Sequence, residues 1–461
     1  MKSPTARPPY LALRHRDYRR LLLSQLLSLI GSQMQVVAIN WHIYLLTRSP
    51  LALGFVGLTR VLPIVLLSLW AGVVADRRDR RRVMLTAQLA MTAVALALAI
   101  FTYTNRETIW LLYGLNLLAA CAVSFDGPAR QALIPRLVPA EDLPGALSFN
   151  LSVFQASLIG GPALAGMIIA GHAGAVHPAN APLPPGGTAV ASSGLALIYL
   201  LNAISFLAVI FALLTMRTSG APEKGSDAAH PWAALKEGLR FVFSTPLMVW
   251  TMGLDFLATF FSGSMSLLPI FADQVLRVGA RGYGVLAAAP AMGALAGSIF
   301  VSLRPLPARQ GRVFLTAVAA YGASTIVFGL SRNFVLTLLA LAGTGLADAI
   351  STVIRQTLRQ FLTPDRLRGR MTSVNMIFFM GGPQLGELEA GFVASLFASA
   401  VVGVTVSVVS GGALTVILTG LIAAAARDVR RYDFRQHAQF APKFPIKEPT
   451  PGRAGTPIGA G

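Results

Sequence analysis

Apolar residues along this chain come in long blocks, not in the period-two alternation of strands or the narrow stripe of a soluble helix. A helix crossing the roughly 30 Å hydrocarbon core of a bilayer needs about 20 mainly apolar residues. Blocks at 20–46, 53–75, 83–103, 109–127, 147–171 and 195–215 meet that length. After a polar stretch at 216–246 the rhythm returns at 247–271, 282–303, 313–330, 334–352, 372–395 and 401–426. The pattern predicts twelve membrane-spanning helices, with a soft boundary between the last two, where Ala398 to Ala400 barely interrupts the apolar run. The first block is too long for a signal-peptide core and lacks an A-x-A cleavage site, so it reads as retained. Membrane barrels show alternating ten-residue strands instead. The predicted fold class is an all-α membrane bundle.

Composition agrees. Of 461 residues, 54% are hydrophobic and 12% charged, against about 25% charged in ordinary soluble domains. The single cysteine, Cys121, excludes a disulfide framework and a thiolate-rich metal site. The net charge of +19 is a matter of placement. With the amino terminus inside, the cytoplasmic segments hold 32 of the 38 Lys and Arg, and the outer loops only Arg48, Arg106, Arg277, Arg281 and Arg332. This asymmetry predicts a multi-pass protein of the cell (inner) membrane with both termini cytoplasmic. It also accounts for the positive charge through anionic headgroups, so no nucleic-acid partner is expected.

The polar stretch divides the spans six and six, giving an amino-terminal half (1–215), a linker (216–246), a carboxy-terminal half (247–430) and a Pro-rich tail (431–461) expected to be disordered. Within the linker, Trp232, Leu235, Leu239 and Val242 fall at helical spacing and predict an amphipathic helix on the inner membrane face. The outer loop 172–194, rich in Gly, Pro and Ala, reads as irregular. At an offset of 225, Arg130-Gln131-Ala132-Leu133 matches Arg355-Gln356-Thr357-Leu358, and Pro139, Ser148 and Asn150 match Pro364, Ser373 and Asn375. A six-plus-six parallel repeat is a transporter architecture, with substrate held near midplane between the halves.

Two motifs sharpen this. Gly72-Val-Val-Ala-Asp76-Arg77-Arg-Asp-Arg80-Arg81 ends the second span. It resembles the loop 2–3 signature of the major facilitator superfamily, with Asp79 in place of the second glycine. Gly72 would permit close helix approach, and Asp76 would cap or pair with basic groups nearby. Gly161-Pro162-Ala-Leu-Ala165-Gly166, preceded by Gly160, resembles the antiporter signature of the fifth span, with Ala165 at one glycine position. Further stretches are similar to the enterobactin-exporter and macrolide-efflux branch. They are Leu254-Asp255-Phe-Leu-Ala, Leu267-Leu268-Pro269-Ile-Phe271-Ala272, Ala288-Ala289-Pro290-Ala291-Met-Gly293-Ala294, Phe125-Asp126-Gly127-Pro128-Ala129-Arg130-Gln131 and Leu385-Gly386-Glu387-Leu-Glu389-Ala-Gly391. The likeness covers residues 14–430 and implies two six-helix bundles related by a pseudo-two-fold axis, and export of a siderophore or a lipophilic drug.

Ionisable groups at membrane depth cost several kcal/mol and mark ion or substrate paths by default. Asp255, Glu387 and Glu389 are the proton-coupling candidates, since a carboxylate held partly out of water can take up and release protons in the working range. Glu387 and Glu389 lie about 200° apart around a helix and cannot share a face. Glu387 is preferred because Gly386 leaves room beside it. Arg60, Gln33, Gln35 and Asn40 are cavity candidates, with hydrogen bonds between helices as the alternative for the three amides. Asp126 and Asp348, at cytoplasmic helix ends, read as inner-gate partners of Arg77, Arg80 or Arg81 and of loop 304–312, with solvated helix-end carboxylates as the alternative. His42 beside Trp41 reads as an interfacial anchor, with a proton relay as the alternative. No phosphate loop, metal-ligand cluster or local catalytic signature is present. The sequence therefore predicts no enzyme and no cofactor, only a monomeric proton antiporter with a small-molecule substrate in a lipid bilayer. The competing readings are a nutrient importer and a non-transporting receptor.

Overall fold

The computed structural model describes residues 8–172, 187–221, 231–303, 309–364 and 367–433. Six long helices form the first half: α1 (Arg16–Thr47), α2 (Pro50–Arg77), α3 (Arg80–Tyr103), α4 (Ile109–Leu137), α5 (Leu143–His172) and α6 (Gly187–Leu214). A linker helix, α7 (Pro231–Ser244), leads to α8 (Pro246–Phe261), α9 (Gly279–Leu303), α10 (Gln310–Leu330), α11 (Phe334–Leu362), α12 (Arg368–Ser395) and α13 (Ala400–Ala425). Among the described residues, 11 helical segments are long and apolar enough to cross a membrane. The twelfth crossing, α12, is the least apolar because Gln384, Glu387 and Glu389 interrupt it. The protein is a multi-pass membrane protein of two six-helix bundles.

The repeat extends to the packing. In the first half α1 lies against α5 and α6, α3 against α4 and α6, and α2 against α4. In the second half α8 lies against α12 and α13, α10 against α11 and α13, and α9 against α11. The halves meet through α2 on α12 and α5 on α9, which is one contact related to itself by the two-fold. We call the end where α1 begins and α2 ends the basic end, and the other the far end.

Turn chemistry keeps the connections short. Ser49, Thr108 and Asn333 accept backbone amides at the starts of α2, α4 and α11, and Asp79 caps α3 through the amides of Arg81 and Arg82. Several helices outrun their apolar blocks at the basic end: α4 continues through Pro128 and Pro135, and α11 runs ten residues past the predicted 352. The seventh span differs more. It is not one helix over 247–271 but breaks after Phe261 at Ser262–Ser264 and resumes in short 3-10, α and π turns over Met265–Val275. Ser262 makes a hydrogen bond of 2.9 Å to Thr415 on α13, one partner for a chain freed from helix bonding.

The linker holds a helix, α7, and the inner side of that helix is protein. Phe241 and Val242 are buried in the second half's core with Met248 and Val374, while Phe243 stays exposed. Beyond α13 the chain turns back, and Val429 and Tyr432 pack over Gly311 at the start of α10. Most of the tail, most of the outer loop and the side chains of Trp232, Leu235 and Ser373 lie outside the described residues.

Candidate functional site: the interface between the halves and the cavity beside it

Contact between the halves concentrates at the far end. A Cβ on Gly166 of α5 would lie 2.8 Å from the Cα of Gly284, and one on Gly391 of α12 would lie 2.8 Å from the Cα of Gly54. Gly166 and Gly391 are the same repeat position, offset by 225. Only glycines let backbones approach this closely. Around them, Trp41 stacks on Tyr283 at 5.4 Å, and the Tyr44 hydroxyl donates to Asp273 Oδ2 at 2.5 Å while accepting from Gln274 at 3.3 Å.

Glu387 sits in this seal. It is buried, lies against Gly57 of α2, and its Oε2 has no hydrogen-bond partner among the described residues. Arg60, one turn along α2, acts on it electrostatically across the interface. Arg60 also has a buried guanidinium nitrogen without a hydrogen-bond partner. Asn40 bonds the Tyr283 hydroxyl, and both Arg60 and Glu387 act on that phenol. Gly386 does not open a path to Glu387: a Cβ there would run into the Phe260 carbonyl, so this glycine serves helix packing. Glu389 points elsewhere and is half-buried.

Toward the basic end, the second half holds a charge cluster. Arg355 of α11 is ion-paired with Asp255 of α8 and lies 3.5 Å from Asp348. Thr352 accepts from Arg355 at 2.8 Å. One guanidinium thus faces two carboxylates. Asp255 and Asp348 line a cavity of about 310 Å3 with Tyr321, Phe328, Phe379 and Met265, and with hydroxyls from Thr259, Ser262 and Thr325. The first half carries a reduced version: Arg130 lies 3.8 Å from Asp126 one turn away, and Gln88 donates to Asp126 at 3.0 Å.

The structure revises several expectations. Among the described residues, Asp126 and Asp348 find cations on their own helices, Arg130 and Arg355. Arg81 instead donates to the carbonyls of Leu214 and Met216, and Arg80 to Ala221, tying the loop to the linker; Arg77 is exposed. Nothing lies within 4 Å of a Cβ built on Gly72, so that glycine admits no neighbouring helix in this state. The Asp76 side chain and loop residues 304–308 lie outside the described residues. Gln35 is no cavity group: it accepts from Asn202 of α6 at 2.7 Å. Gln33 packs on Gly161 of α5, and the Pro162 carbonyl lies against Gly284. His42 is fully buried: it bonds Tyr199 at 3.2 Å and lies 3.7 Å from Glu107. Sequence reasoning passed over Asp273 and Glu107 because both sit just beyond a predicted span end, where a charge attracts no notice.

The chain matches the family model described as transmembrane secretion effector over residues 7–183 and 178–449. It is 25% identical over 378 residues to the enterobactin exporter EntS of Escherichia coli O81 (strain ED1a), covering 82% of this chain and 85% of that one. The same identity and coverage hold for the enterobactin exporter of Shigella boydii serotype 18 (strain CDC 3083-94 / BS512). Among solved structures, a bacterial homologue of the human lysosomal transporter Spinster, inward-facing and occupied, aligns with a TM-score of 0.67 at 16% identity over 91% of this chain and 98% of that one. A POT family transporter in complex with 5-aminolevulinic acid aligns at 0.70 and 11% identity over 90% and 96%. These two carry the fold alone.

Proposed function

The chain belongs to the transmembrane secretion effector family of major facilitator transporters, and from that premise we propose that it exports a small aromatic or lipophilic molecule, of the catecholate siderophore or drug kind, in exchange for protons. The basic end faces the cytoplasm of the inner membrane, following the distribution of Lys and Arg. The halves are then closed outside, the state in which an exporter loads. The cavity beside Asp255 and Asp348, with its aromatic, methionine and hydroxyl lining, receives part of the substrate. The transport unit is a single chain.

The observation that carries the antiport reading is Glu387. A membrane-buried carboxylate with an unpartnered oxygen lies in the surface that must separate for the outer side to open. With the outer side open and Arg60 drawn away, Glu387 takes up a proton from outside; as the halves close, Arg60 comes to face it and the proton is released toward the cytoplasmic side. The substrate-loaded chain then opens outward with Glu387 unprotonated, so one proton moves inward for each substrate exported.

The test is transport by the purified chain in vesicles, measuring gradient-driven uphill flux and substrate exchange separately. Glu387→Gln should abolish uphill flux and spare exchange, which needs no net proton release. Asp255→Asn, which breaks the ion pair with Arg355, should lower both. If Glu387→Gln, Asp255→Asn and Glu389→Gln all keep pH-gradient-driven transport, proton antiport through these carboxylates is wrong.

A further inference from the structure

Outside the interface between the halves, a groove of about 830 Å3 runs down the flank of the first half between α2, α3 and α4. It exists because α3 packs on α4 and α6 but barely touches α2. Its walls are apolar and small, with Val83, Ala87, Ala90 and Val94 from α3 facing Leu118 and Phe125 of α4. At its basic-end mouth stand Arg78 and Arg82, both exposed. Asp79, between them, is held by its Oδ1 on the α3 amides of Arg81 and Arg82 at 2.9 and 3.4 Å, and against its one negative charge the two guanidiniums keep the mouth net positive.

The dimensions fit one lipid leaflet. From Val83 to Val94, α3 rises about 16 Å at 1.5 Å per residue. Half of a roughly 30 Å hydrocarbon core is about 15 Å. The guanidiniums fall at the headgroup end of that span, and the groove's lining ends at Val94 and Leu118. We infer that this groove seats one acyl chain of an anionic phospholipid, its phosphate held by Arg78 and Arg82. A free anion would use the arginines but has no need of the apolar channel. A zwitterionic lipid would use the channel, but its ammonium group offsets the phosphate charge that the two arginines attract.

The test is native mass spectrometry of the full chain, exchanged in detergent against equal phosphatidylglycerol and phosphatidylcholine. The wild type should retain one phosphatidylglycerol preferentially. Arg78→Gln with Arg82→Gln should reduce that preference about thirty-fold, the worth of two arginines at a lipid surface. Both side chains are exposed, so the fold does not depend on them. Ala90→Leu with Ala93→Leu fills the groove from exposed positions and should release both lipids with the charge intact. Cys121, the one cysteine of the chain, lines the groove, and its alkylation by N-ethylmaleimide should slow when phosphatidylglycerol is added to the wild type but not to the arginine variant. Three results overturn the inference: retention untouched by the arginine pair, retention untouched by groove filling, or displacement of the lipid by soluble glycerol phosphate alone.

Discussion

Helices α5 and α12 hold the same place in the two halves, and they part company at one telling position. Gly161-Pro162-Ala163-Leu164-Ala165-Gly166 stands at the offset of 225 from Gly386-Glu387-Leu388-Glu389-Ala390-Gly391. The flanking glycines and the alanine do the same packing in both: Gly166 meets Gly284, and Gly391 meets Gly54. Proline at 162 fills its place in the seal without charge, so packing there does not require a carboxylate. A glutamate in the matching place, at a cost of several kcal/mol in a bilayer, needs a reason beyond stability. The arginines at the repeat position differ in the same direction. Arg130 reaches one buried carboxylate, Asp126 on its own helix, at 3.8 Å, whereas Arg355 carries two carboxylates from two helices. The two halves share one packing scheme, and the second adds Glu387 to the seal and a second carboxylate to its arginine.

The largest effect that would break this comparison comes from the arginines. Removing one partner of a buried ion pair costs about 3–5 kcal/mol, so Arg355→Gln should sharply lower the yield and thermal midpoint of the purified chain. Arg130→Gln loses a longer contact at 3.8 Å and leaves Asp126 its hydrogen bond from Gln88, so its loss should be clearly the smaller. Thermal unfolding in detergent decides it, and equal losses in the two variants would erase the asymmetry. Next come the matched glycines. Gly166→Ala and Gly391→Ala each push a Cβ against partner backbone, and overpacking of this kind costs about 1–3 kcal/mol. Both should open the far end, raising thiol labelling of Gln274→Cys in a Cys121→Ser background by a similar factor. Opening by one variant alone would show that the two contacts are not equivalent.

Much of this was legible beforehand for a plain reason. Twenty apolar residues in a row can do little but cross a bilayer, so the span count and the two halves followed from periodicity, and the repeat followed from the Arg-Gln-x-Leu pair. What periodicity could not give was which side of a helix meets what. Gln35 and Gln33 sit two apart on one apolar helix, yet one bonds Asn202 and the other packs on Gly161. Glycines were ambiguous in the same way. Gly386 resembled a gap beside Glu387 and is filled by α8, whereas Gly72 resembled a contact and faces open space. The break in the seventh span was hidden because Ser262, Gly263 and Ser264 barely lower hydropathy, although each loosens a helix.

Gly72 offers the smallest effect and the sharpest test of the two-state reading. In the present state a Cβ at Gly72 meets nothing within 4 Å, so Gly72→Ala should raise stability by about 0.5–1 kcal/mol, the usual gain of alanine over glycine inside a helix. Closing the basic end should move α2 toward the second half, as the far-end glycines already do at the other side. The added methyl then stands where a helix must arrive, so transport should slow while the melting midpoint rises. A lower midpoint would mean that Gly72 is packed in the resting state. A higher midpoint with unchanged transport would mean that the closing surface lies elsewhere on α2, and that the glycine of the loop signature is not what lets this end shut.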